Sequence, residues 1–552
     1  MDAHAPSSKG LSRRDLLKAG AAGLAAPAVG AGLAGRARAQ SPKRGGTLSL
    51  RLWDPPHFDP QLTPSYKTHI ALSFTHGRLL RHKAGPGVQP GSLVVEGDLA
   101  ESWTQPNDTT YVFKLRRGVR WHNKPPVNGR ELTAEDVKYT FDRFMTVPGN
   151  ANRYMLKSLD KVEVVDRYAV RITLKEPFAW FLDILANPMA LAIVPREAVE
   201  KLGDLKKAEA AIGTGPWMLE SYRPNVGLTY VRNPNYFQHG LPYIDRIEVT
   251  IDEDNASRMA AFMAGKYDLG WENPGTINRV DWVQMKDTLA QRRPGMQTVE
   301  FPSNVVSHIY MRTDKPPFSD VRVRRAISMA INRQGILDAT AEGVGVINPP
   351  VPAALRDWAL PIDQLGEGAR YYKYDPKEAK RLLAEAGHPN GFQATLEWTS
   401  YGSTVLIDTV QLIAKYLKDV GIDARLAQKD YNAYISSTFL GKYESMAFGP
   451  QTPFLDPDNF IYGPHMPGEP KNQSHVNDPV VADLLVRQRR TMDAAKRREI
   501  IHEIQRHLAK QQYYVHAPSG VYIFVWDRAL KHYGPNLGYD YGGRLAAAWL
   551  DR

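Results

Sequence analysis

The 552-residue chain contains no cysteine. That absence removes disulfides, thiolate metal sites and cysteine nucleophiles together. It also removes the lipobox residue through which an exported protein is tethered, so the mature protein is expected to diffuse freely. Beyond the N-terminal segment no run has the roughly 20 apolar residues that span a bilayer. Neither a G-x-S-x-G elbow nor a P-loop occurs. The run His502 to His507 resembles a zinc-protease motif until counted. Its histidines are five apart and diverge by about 140° on a helix, so they cannot share a metal. Asp252-Glu253-Asp254-Asn255 lacks the glycine and distal glutamate of a calcium loop and reads as the cap of the next helix. Asp456-Pro457-Asp458 reads as a turn. The 15 histidines are unclustered, and no cofactor or metal is expected.

What is present begins with an address. Ser12-Arg13-Arg14-Asp15-Leu16-Leu17-Lys18 is a twin-arginine motif, followed by a short Ala/Gly-rich apolar run from Ala19 to Leu33. Ala37-Arg38-Ala39 is a small-x-small site, so residues 1–39 read as a signal peptide cleaved after Ala39. These features predict export through the twin-arginine translocase into the periplasm of a Gram-negative cell, as a soluble protein without a lipid anchor. The signal carries six Lys/Arg against two Asp/Glu; removing its +4 from the chain's +11 leaves +7. No zinc-ligand, RRM or homeodomain pattern accompanies that basic balance, so no nucleic acid is expected as a partner. Attraction to an anionic solute or membrane is the plainer reading.

About 513 residues remain after cleavage, too many for one core, and at least two lobes are expected. Strands and helices alternate along the chain. Tyr111, Phe113 and Leu115 alternate with Val112 and Lys114; Val170, Ile172 and Leu174 with Arg171 and Thr173; Ile247, Val249 and Ile251 with Glu248 and Thr250. Thr133 and Asp136 mark the start of a helix carrying Val137, Thr140, Phe141 and Phe144. Asp375-Pro376-Lys377-Glu378 combines an N-cap, an N1 proline and a capping-box glutamate, and Gly387 closes that helix. Further helices carry Leu406, Val410, Ile413 and Leu417, and, from Ser319, Val323, Ile327, Ala330 and Ile331.

The segment Leu99 to Phe141 is the most specific in the chain. It presents Ala100, Ser102 and Trp103, then Tyr111, Phe113, Leu115, Arg116, Gly118, Val119, Trp121 and His122, then Thr133, Ala134, Asp136, Val137, Thr140 and Phe141. Further blocks follow in order: Gly213-Thr214-Gly215-Pro216-Trp217, Asn233 to Tyr236, Ala261 to Leu269, Pro317 to Ile327, and Asp456 to Phe460. Together they resemble the family-5 extracellular solute-binding proteins, the peptide- and nickel-type receptors of ABC importers.

That resemblance implies an α/β, two-lobed periplasmic-binding-protein fold of type II, in the large class with an extra subdomain and a ligand cleft between the lobes. Residues 40–300 plus 515–552 would form lobe I, with about 95–210 as the extra subdomain, and 301–514 would form lobe II. The implied function is a monomeric, non-enzymatic receptor that captures a small organic solute, peptide-like or other, by hinge closure and delivers it to the membrane subunits of an ABC permease. The alternative is a twin-arginine-exported hydrolase or redox enzyme. Ligand-contact candidates are Trp271, Trp398, Tyr401, Phe448, Gln451, His57 and Phe58, which follow strands or family blocks near the expected cleft. Peptide receptors of this family place an acid shortly before the Asp-Pro-Asp segment. Aligned on Asp456, that position here is Pro453, which offers no charge to a peptide α-ammonium. A neutral or anionic solute, such as a sugar, opine or aromatic metabolite, is therefore expected.

Overall fold

The computed structural model describes residues 41–272 and 275–552; the twin-arginine motif and its cleavage site lie outside the described residues. Four sheets of three or more strands organise the described residues. The first sets Thr47–Leu52 parallel to Arg246–Ile251, then adds Gly227–Arg232 and Trp217–Arg223 antiparallel. Arg246–Ile251 alternates as its sequence predicts, with Ile247, Val249 and Ile251 buried and Glu248 and Thr250 exposed. One face thus packs on the core while the other meets solvent.

The second sheet is antiparallel and holds the diagnostic segment. Its order is Ala100–Asn107, Thr110–Leu115, Ala169–Leu174, Leu159–Asp166. Tyr111, Phe113 and Leu115 face inward. Against this sheet packs the helix Ala134–Thr146, whose Val137, Phe141 and Phe144 are fully buried. Thr133 precedes it, and the Thr133 N–H donates to the Asp136 carboxylate at 2.9 Å. The glycine-rich block explains itself by close approach. A Cβ on Gly213 or Gly215 would run into the Thr75 backbone, and the Gly215 N–H donates to the Thr75 carbonyl at 2.8 Å.

The third sheet is mixed and five-stranded, ordered Ile422–Gln428, Phe392–Trp398, Met446–Pro450, Ser307–Met311, Tyr514–His516. Helices Val321–Ala330, Pro376–Glu385 and Thr404–Asp419 contribute its core, through residues such as Val323, Leu383 and Val410. The fourth sheet is small and antiparallel: Thr276–Ile277, Ser519–Trp526, Gln297–Pro302, with the short strand Gly345–Val346 also paired to Ser519–Trp526.

Two side-by-side crossings join the third sheet to the fourth. Strand Gln297–Pro302 leads through residues 303–306 into Ser307–Met311, and Tyr514–His516 leads through 517–518 into Ser519–Trp526. The pairs Pro302↔Val521 and His308↔His516 bracket them. The Ala517 N–H donates to the Ser307 carbonyl at 2.8 Å, and the Ser519 hydroxyl donates to the Val305 carbonyl at 2.6 Å.

Three local expectations are corrected. The helix placed from Ser319 begins at Val321, because Asp320 caps it by accepting the Arg322 N–H at 2.8 Å. Asp375 caps its helix through the Glu378 N–H at 2.9 Å, but the capping box is half formed. The Asp375 N–H is already committed to the Met329 carbonyl, and the Glu378 carboxylate pairs with Arg381. Asp456-Pro457-Asp458 opens the helix Asp458–His465 and is more than a turn. Fully buried Asp458 accepts from the Arg489 guanidinium at 2.7 Å and from Gln488.

Leaving Arg489 buried without its carboxylate costs about 3–5 kcal/mol. Asp458→Asn should therefore lower unfolding stability by that order in urea titration; a change below about 1 kcal/mol would contradict this account of the pair. Burial also holds six histidines neutral. His122 and His308 are pushed down to about 3, His69, His76 and His465 to about 4, and His516 well below the ordinary value. Groups with depressed native pKa give stability that is complete above about pH 6.5 and is lost as pH falls toward 4. Asp456, raised to about 7 chiefly by burial and then by Asp458, acts with the opposite sign. His57 and His502, also lowered chiefly by burial, act with those six, and Asp98, also raised by burial, acts with Asp456. Eight depressed groups against two raised ones decide the direction: the midpoint of denaturation should fall between pH 6.5 and 4, and a flat profile there would contradict the neutral histidines.

Candidate functional site

A cavity of about 190 Å³ lies where the crossings meet the first, third and fourth sheets. Ser303, Val305 and Pro518 to Tyr522 form its floor. Trp53, Ser65, Tyr66 and Arg258 stand on one side, with Glu272 and Thr276 to Arg279 beside them. Tyr401 to Ser403, Tyr431, Phe439 and Pro450 to Pro453 stand on the other.

The walls are largely aromatic. Tyr66, on the short helix Tyr66–Leu72, meets Trp53 edge-on with centroids 5.1 Å apart. It stacks on Tyr539 at 5.4 Å and faces Tyr401 across 6.3 Å with planes 11° apart. Tyr401 meets Tyr431 edge-on at 5.3 Å. Burial holds the Tyr66, Tyr401, Tyr431 and Tyr539 hydroxyls above the ordinary phenol value, so they are neutral donors and acceptors at physiological pH. Such rings offer stacking faces, edges and hydroxyls to an organic solute.

Tyr401 reaches this position through a turn that joins strand Phe392–Trp398 to helix Thr404–Asp419. Tyr401 and Gly402 both take positive φ, 53° and 71°. For tyrosine that conformation is strained, and strain of this kind persists where surrounding contacts over-determine it. A Cβ on Gly402 would displace the Glu253 carboxylate from its place beside Arg51 and Lys67, and the positive φ disfavours any side chain there.

Direct contacts join the two sides. The Ser65 and Tyr431 hydroxyls are 2.7 Å apart, and the Lys67 ammonium sits 3.9 Å above the Tyr431 ring. Arg258 Nη2 donates to the Gly402 carbonyl at 2.9 Å, and the Ser403 hydroxyl donates to Glu272 at 3.2 Å. Behind this layer Glu253 serves both Arg51, at 3.2 Å, and Lys67, at 3.7 Å.

Of the seven residues named from sequence, Tyr401 and Gln451 line the cavity. Trp271 lies one layer behind: fully buried, it packs on Phe262 and donates its indole N–H to Asn255 at 3.2 Å. Trp398 and Phe448 turn into the core of the third sheet. His57 borders a separate depression with Pro148 and Lys206, and Phe58 packs edge-on against Tyr222. Sequence reasoning missed Trp53, Tyr66, Arg258, Glu272, Tyr431 and Tyr539. Only Glu272 carried a signal, one position past Trp271. The two histidines of the run His502 to His507 serve different partners, the Asp357 carbonyl and the Asp478 carboxylate. Pro453 lines the cavity, whereas Asp456 is buried and accepts from Asn459.

The sequence pattern of the bacterial extracellular solute-binding proteins, family 5 Middle, matches residues 94–469. The chain belongs to this family. Its α/β, two-lobed architecture is that of the solved periplasmic binding proteins it superposes on. DppA from Helicobacter pylori, an ABC transporter-associated periplasmic binding protein solved with the peptide STSA, superposes with a TM-score of 0.79. It is 25% identical and covers 92% of this chain and 99% of its own. The binding protein AgaA from A. tumefacien R10, solved with agropinic acid, shows the same fold with a TM-score of 0.78 at 24% identity, over 92% and 99%. Among curated relatives, the glutathione-binding protein GsiB of Salmonella choleraesuis is 32% identical over 346 residues, 61% of this chain and 62% of that protein. The GsiB of Escherichia coli K12 is 31% identical over 339 residues, 60% of each chain. The chain thus aligns with about three-fifths of the length of these curated relatives.

Tyr431→Phe removes the hydroxyl bridge to Ser65 and leaves the ring beneath Lys67. Hydrogen–deuterium exchange across residues 400–406 should accelerate several-fold with little change in melting temperature. Unchanged exchange would show that the bridge does not hold the walls together.

Proposed function

We propose that this chain is the solute receptor of an ABC importer, working in the periplasm. The observation that carries this reading is the cavity at the paired crossings, walled by residues from sheets on both sides and roofed by contacts between those walls. In this reading lobe I comprises residues 40–300 and 515–552, with 95–210 as its extra subdomain, and lobe II comprises 301–514. Segments 303–306 and 517–518 are the hinge. Closure buries a small organic solute against Tyr66, Tyr401, Tyr431 and Gln451, and the closed form delivers it to the permease subunits. The mature protein is a monomer without a lipid anchor, exported by the twin-arginine translocase through Arg13 and Arg14 and cleaved after Ala39.

The relatives support this reading and narrow the solutes to try. GsiB is named for glutathione, and the solved neighbours carry the peptide STSA and agropinic acid. A hydrolase or redox enzyme finds no support, since each of these relatives is a binding protein. Among the described residues no helix is long and apolar enough to cross a membrane.

A thermal-shift panel of glutathione, short peptides, opines and sugars tests the reading. At least one solute should raise the melting temperature by several degrees at a concentration near 100-fold its Kd. Absence of any shift across the panel, with turnover of a substrate instead, would overturn it.

A further inference from the structure

We propose that Arg258 is the cavity's receptor for a carboxylate, and that the solutes this protein takes are carboxylate-bearing. The inference rests on the solute-receptor reading and deepens it. Arg258 is 2% exposed, on the helix Asn255–Met263, and borders the cavity. Its Nη2 is committed to two neutral oxygens, the Gly402 carbonyl at 2.9 Å and Asn255 Oδ1 at 3.3 Å. Its Nε is buried and has no partner among the described residues. Among the described residues no carboxylate forms an ion pair with it.

A guanidinium taken from water without a counter-ion or full hydrogen bonding is costly. Nearby acids are engaged elsewhere: Glu253 serves Arg51 and Lys67, and Glu272 accepts from Asn278 at 2.7 Å and from Ser403. The charged residues bordering the cavity are Arg258, Arg279 and Glu272, an excess of one positive charge. Arg279 pairs with Glu300 at 3.4 Å, so Arg258 is the cavity cation without an ion pair, while Glu272 is held by the neutral donors Asn278 and Ser403 and makes no ion pair with it. The planar fork of a guanidinium matches a carboxylate better than any neutral group. The opposite wall, Pro453 included, places no acid on the cavity to compete with a solute carboxylate for Arg258.

Arg258 also ties the two walls through Gly402. A solute carboxylate beside it neutralises the charge that the same side chain carries into the bridge, so solute charge and closure act on one group. Arg258 is in this sense a specificity-determining residue.

The test uses matched probes: glutathione, the tetrapeptide Ser-Thr-Ser-Ala and agropinic acid, each with carboxyls free and with carboxyls blocked as amides or esters. Neutral sugars complete the set. Titration calorimetry on the mature protein should show the free forms binding at least tenfold more tightly than the blocked forms. Arg258→Gln should erase that difference by weakening the free forms alone, and Arg258→Lys should restore part of it. The melting temperatures of both unliganded variants serve as the folding control. Equal binding of free and blocked forms, tight binding of a neutral sugar, or a loss in Arg258→Gln that falls alike on both forms would each overturn the proposal while leaving the receptor reading standing. Binding of nothing in the set would count against the receptor reading, and the proposal would fall with it.

Discussion

Two hydrogen-bonded crossings, residues 303–306 and 517–518, set the terms for everything around them. They are the strand-to-strand links between the five-stranded sheet and the small sheet built on Ser519–Trp526, and they lie side by side. The Ser519 hydroxyl donates to the Val305 carbonyl, and Asn348 donates to that same hydroxyl at 2.7 Å. On the hinge reading proposed above, this pair of short segments fixes the distance between the two lobes while leaving their angle soft. The cavity floor is made of these same residues, so whatever enters the cavity touches the joint.

Contacts across the cavity must then be weak enough to break. The Ser65–Tyr431 bond is neutral and contributes about 0.5–1.5 kcal/mol. The Arg258–Gly402 and Ser403–Glu272 bonds each involve a charged group, about 1.5–3 kcal/mol. The Lys67–Tyr431 contact adds about 0.5–2 kcal/mol. Such a sum is of the size that separates two conformations of one protein, and a solute shifts the balance by its differential affinity for the closed form. The aromatic stack of Tyr539, Tyr66 and Tyr401 supplies apolar contact on both sides of the joint.

Much of the fold was legible because local rules agreed with tertiary need. Strand Thr110–Leu115 alternates as its residues dictate, and helices begin just after Thr133 and Asp375, where the sequence marks their starts. Asp458 was misread because a flanking proline looks the same at a turn and at the first turn of a helix. Its partner Arg489 lies 31 residues away. The site was less legible for a related reason. Tyr66, Arg258, Tyr401, Tyr431 and Tyr539 are brought together only by the pairing of distant strands. The helix bearing Tyr66, sequence YKTHIAL, is buried nearly all round and shows no amphipathic stripe to orient it. Tyr401 could be found because it follows a strand into a glycine turn. Trp271 follows a family block just as closely, yet its indole is claimed by Phe262 and Asn255.

The central claim is that the crossings are a hinge and that solute holds the walls together. Small-angle X-ray scattering on the mature protein, with and without a solute that stabilises it thermally, tests this most directly. Saturation should reduce the radius of gyration and sharpen the scattering toward the profile calculated from the closed structure. Superimposable curves with and without solute would contradict the account.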